Sequence, residues 1–83
     1  MAKKTKSSSF MKNALQPVVD SWNEAVGHEF VIRDSPLEDH IKIESDTQRS
    51  MHGSLIHKIA EICDAYHWIF SIEVEDGKPY LFI

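Results

Sequence analysis

The stretch Trp68-Ile69-Phe70-Ser71-Ile72-Glu73-Val74-Glu75-Asp76-Gly77-Lys78-Pro79-Tyr80-Leu81-Phe82-Ile83 decides how the chain is read. Asp76-Gly77 is the strongest hairpin signal present, because both central positions of a type I′ turn need positive φ. Before it, Trp68, Phe70, Ile72 and Val74 alternate with Ile69, Ser71, Glu73 and Glu75; after it, Pro79 to Ile83 forms the returning strand. A two-residue turn fixes the register. Glu75 faces Lys78, Glu73 faces Tyr80, Ile72 faces Leu81 and Ser71 faces Phe82. Phe70, Ile72, Leu81 and Ile83 then share one face, while Ile69, Tyr80 and Phe82 share the other.

The residues ahead of this hairpin read as a helix. Leu55, Ile56, Ile59, Ile62, Cys63 and Tyr66 form one stripe at three- and four-residue spacing. The same order of elements occurs once before. Met11, Ala14, Leu15, Val18, Val19, Trp22, Ala25 and Val26 mark a first helix, starting near Asn13 with Pro17 in its early turns and stopping at Gly27. Glu29 to Arg33 reads as a strand, Asp34 to Asp39 as a turn, and His40 to Glu44 as the returning strand. At an offset of 40 residues Leu15 falls on Leu55, Ala25 on Ala65, Phe30 on Phe70, Ile32 on Ile72 and Ile43 on Ile83. The matches concentrate at inward positions. The expected product is an α+β fold made of two αββ halves: a four-stranded antiparallel sheet with both helices on one face. Trp22, Phe30, Ile59, Phe70, Ile72 and Leu81 are its expected core. Residues 10–83 form this single domain, and residues 1–9 read as a disordered basic tail.

Composition narrows the function classes. Eighty-three residues with 42% hydrophobic and 27% charged content suit one small folded domain. Cys63 stands alone, so neither an intrachain disulfide nor a Cys-based zinc site can form, which points to a reducing, cytoplasmic compartment. No apolar run has the length of a membrane span. Residues 1–12 hold four lysines and no acid, whereas residues 13–83 hold five basic residues against thirteen acidic ones. An acidic body with a basic end is not the footprint of a groove-reading DNA-binding domain.

Chemistry-bearing motifs are sparse. The three glycines are isolated, so no phosphate-cradling loop exists. Ser7, Ser8 and Ser9 have no base beside them, and the carboxylates Asp34, Glu38 and Asp39 sit in a turn where solvation accounts for them. His52 and His57 point to different sides of a helix, and Cys63 belongs to an apolar stripe. The reading is therefore of a protein that is not an enzyme and uses no cofactor, metal or small-molecule substrate. It is a protein–protein interaction module, suited to regulating or inhibiting a larger complex. Its expected interface is the open sheet face: Val31, Arg33, Ile69, Glu73, Tyr80 and Phe82, with a basic partner or a second copy in a homodimer. The alternative is a nucleic-acid-associated protein contacting phosphates through Lys3, Lys4, Lys6 and Lys12.

Overall fold

In the computed structural model the described residues are 7–27, 29–47 and 50–83. Helix α1 (Ser8–Val26) is followed by strands β1 (Phe30–Asp34) and β2 (Ile41–Ser45), then by α2 (Gly53–Tyr66), β3 (Ser71–Glu75) and β4 (Lys78–Phe82). The four strands form one antiparallel sheet in the order β1-β2-β4-β3. The αββ unit thus occurs twice, as the sequence predicts.

The first helix starts earlier than its stripe suggests. Ser7 is the N-cap: its hydroxyl accepts the Phe10 N–H at 3.2 Å, satisfying one of the donors a helix start leaves unpaired. Ser8 and Ser9 are helical, Pro17 lies in the helix interior, and Lys3, Lys4 and Lys6 lie outside the described residues. The extra turn lets Phe10 meet Tyr66 and Trp68 edge-on, with ring centroids 5.3 and 6.1 Å away. This aromatic contact ties the start of α1 to the end of α2. Both helices stop at corresponding places in a left-handed residue, Gly27 (φ 73°) and His67 (φ 60°). Glycine adopts that conformation without strain; histidine carries a Cβ penalty there.

Met11, Leu15 and Val19 of α1 and Leu55, Ile59 and Cys63 of α2 are fully buried, each set at four-residue spacing along one face. They close over Phe30, Ile41, Ile43, Leu81 and Ile83. Asn23 adds a two-way backbone clasp. Its amide donates to the Phe30 carbonyl at 2.8 Å, and its oxygen accepts the Phe30 N–H at 2.9 Å. Burial pushes the Cys63 thiol up to about 11, which favours its neutral form within the core.

The second hairpin has the expected register throughout, from Glu75 opposite Lys78 to Ser71 opposite Phe82. Asp76 (φ 53°) and Gly77 (φ 76°) both take the left-handed conformation a type I′ turn demands. β4 pairs on its other side with β2, Lys42 opposite Phe82 and Ile43 opposite Leu81, and Ile41 and Ile83 exchange two backbone hydrogen bonds of 3.0 Å. That ladder stops short of Pro79, which has no N–H to offer β2.

Three of the expected core residues are not fully buried. Ile72 is 50% exposed, while Trp22 and Phe70 are half-buried. For Ile72 and the adjoining Phe70 the reason is strand order. β3 is an edge strand, and α1 lies against β1, β2 and α2. The core therefore sits over β1, β2 and β4, and β3 projects beyond it. Trp68, Met11 and Ile41 are buried in the core instead.

Candidate functional site

The sheet face opposite the helices is dressed with charge. Arg33 reaches Glu44 at 2.6 Å and holds both carboxylate oxygens of Asp46, at 3.1 and 2.8 Å. This fork raises the Arg33 pKa further and holds the Asp46 carboxyl below the usual range, through the hydrogen bonds first and the opposite charge second. Lys42 lies over the Tyr80 ring, 4.4 Å from its centroid, and 3.7 Å from a Glu75 oxygen. His40 stacks on Phe82, with centroids 4.9 Å apart and planes 7° from parallel. Tyr80 and Phe82 are consequently half-buried, not bare.

Of the residues expected to form one interface, the structure brings together Glu73, Tyr80 and Phe82. They line an open cleft of about 480 Å³ walled by the Ser35–Leu37 loop. Glu73 is exposed, and among the described residues it makes no ion pair. Val31 and Arg33 are elsewhere. They sit on β1, three strand spacings from β3, which is roughly 14 Å at the usual strand separation. Ile69 lies in the chain ahead of β3 and is 86% exposed. Lys12 is part of α1 and pairs with Asp34 at 3.0 Å.

Exposed aliphatic surface gathers around one expected core residue, Ile72, and one expected interface residue, Ile69. Ile69, Ile72 (50% exposed) and Val74 (69% exposed) fall within six residues on and beside β3. Ile72 and Val74 point to the helix side of the sheet, since Ile72 stands opposite the buried Leu81. Ser71, Glu73 and Glu75 point to the cleft side. The edge is also open along its backbone. A two-residue turn makes Glu75–Lys78 a hydrogen-bonded pair, so Ser71, Glu73 and Glu75 bond to β4. The N–H and C=O groups of Ile72 and Val74 are then turned outward, where no other strand lies among the described residues. The sequence carries the alternation of this strand but not its position at an edge. Pro79 even argues the other way, since proline commonly marks edge strands.

No family model, curated protein or solved structure matches the chain.

Three other surfaces offer less. Among the described residues no three His, Cys, Asp or Glu side chains gather as metal ligands, and no helix is long and apolar enough to cross a membrane. Of the described Lys and Arg side chains on the sheet face, Arg33 and Lys42 are already matched by Glu44, Asp46 and Glu75, while Lys78 stands opposite Glu75 at the turn end of β4.

Proposed function

We propose that this chain is a small, non-enzymatic protein-binding module whose partner docks along β3 and the adjoining cleft. The single supporting observation is the exposure of Ile69, Ile72 and Val74 on an edge strand that belongs to the sheet but lies outside the shelter of the helices. A folded domain gains by covering such residues, each buried aliphatic contributing roughly 1.5–3 kcal/mol before ordering costs. The flanking carboxylates Glu73 and Glu75 favour a partner carrying positive charge and speed encounter with it. A module of this kind acts by occupying a surface, as a regulator or inhibitor of a larger complex does.

The test is a photo-crosslinking amino acid at position 72, with one at the exposed helical position 24 as control, introduced in the producing cell. Position 72 is expected to yield a discrete protein adduct that position 24 does not. Equal, diffuse labelling from both positions would remove the reading. An adduct at twice the chain mass would identify the partner as a second copy.

A further inference from the structure

Resting on that reading, we infer that β3 recruits an extended segment of another protein, in which aliphatic and basic residues alternate, by adding it to the sheet as a fifth strand. Three features of the strand select this occupant. The outward N–H and C=O groups of Ile72 and Val74 form a ready template for a further antiparallel or parallel strand. Any strand added there turns alternate side chains to opposite sides of the sheet. On the helix side they meet Ile72 and Val74, which are 50% and 69% exposed and call for aliphatic neighbours. On the cleft side they meet Glu73 and Glu75, and opposite charges on directly facing strands attract. Glu73 has no ion pair among the described residues, and Glu75 has only a distant one, 3.7 Å from Lys42 with its own side chain 64% exposed.

A second copy of this chain fits the edge less well. Two β3 strands joined with their helices on the same side bring two sets of Glu73 and Glu75 to the same side, acid beside acid. The same carboxylates that invite a basic segment therefore discourage self-pairing, as charges on natural edge strands do.

The experiment uses the full chain and a fluorescently labelled peptide of alternating valine and lysine, with anisotropy as the readout. Three controls accompany it: a valine–glutamate peptide, a peptide of the same composition with its lysines in one block, and sedimentation of the protein alone. Saturable binding of the alternating basic peptide is expected. Val74→Pro removes one outward N–H at an edge, where proline is tolerated, and should weaken binding by about tenfold, the worth of roughly one hydrogen bond and its register. Circular dichroism reports whether that variant keeps its fold. The double variant Glu73→Lys with Glu75→Lys changes only exposed residues and should reverse the preference toward the valine–glutamate peptide. Equal affinity for the blocked and alternating peptides, or no effect of Val74→Pro, would overturn strand addition. A wild-type dimer that dissociates in Val74→Pro would overturn the choice of a foreign basic segment. Should position 72 crosslink a protein while the peptide fails to bind, strand addition falls and the binding reading stands; failure of both removes both.

Discussion

Ile43→Ala destabilises the domain by about 2–5 kcal/mol, whereas Ile72→Ala, on the same side of the same sheet, costs less than about 1 kcal/mol. Ile43 is fully buried on β2, with Ile32 opposite on β1 and Leu81 opposite on β4. Truncation there leaves a cavity that flanking strands cannot close without breaking their ladders. A domain of this size rarely holds more than roughly 3–5 kcal/mol in total, so the Ile43 variant should be largely unfolded at room temperature. Ile72 already has half its surface in water and loses little. Urea unfolding followed by tryptophan fluorescence separates the two. Comparable midpoints for both variants would mean that β3 is covered as well as β2, and the account of its exposure would fail.

Pro17→Ala should stabilise the protein by up to about 3 kcal/mol, an unusual sign for a single substitution. Pro17 is exposed inside a helix that runs from Ser8 to Val26. Its ring opposes the carbonyl of Asn13, one turn back, and it offers that carbonyl no N–H. Alanine restores the hydrogen bond without entering the core, which Met11, Leu15 and Val19 reach from the other side. The measurement is a thermal melt at matched concentration. A lower melting temperature would show that Pro17 sets a bend on which the contact with α2 depends.

How far the sequence discloses this fold depends on whether a feature is local. The Asp76-Gly77 turn fixes its own hairpin, so the pairing from Glu75–Lys78 to Ser71–Phe82 follows from a few adjacent residues. The helical stripes are equally local, and Gly27 ends α1 as expected. The start of α1 was open to misreading because Ser7, Ser8 and Ser9 look like a polar tail, although serine is also among the best N-caps. Met11 and Met51 match at the same 40-residue offset as the other pairs and extend the repeat upstream of Leu15. Strand order is not local. Nothing in Ser71–Glu75 distinguishes an edge strand from a sheltered one, so alternation alone places Ile72 in the core that Ile43 occupies. The same limit governs the site. Tyr80 and Phe82 do flank Glu73, but the covering of their rings by Lys42 and His40 depends on β2 lying beside β4. Val31 and Arg33 share their face and yet stand at the far edge.

The repeat is structurally unequal, and the inequality is where function is proposed. Phe30 is buried in the first half while its counterpart Phe70 is half-buried; Ile32 is half-buried while Ile72 is exposed. Helix α1 spans 19 residues and α2 only 14, so the second half has less helix with which to cover its own outer strand.

Amide hydrogen exchange resolved by residue tests the role of that strand most directly. In the free protein Glu73 and Glu75, bonded to β4, should exchange slowly, while Ile72 and Val74, whose N–H groups face outward, exchange close to the rate of an unstructured chain. Saturation with the alternating valine–lysine peptide should bring Ile72 and Val74 to the slow rate of their neighbours and leave the helices unchanged. Exchange at Ile72 and Val74 that stays fast at millimolar peptide, or that is already slow without it, would contradict the account.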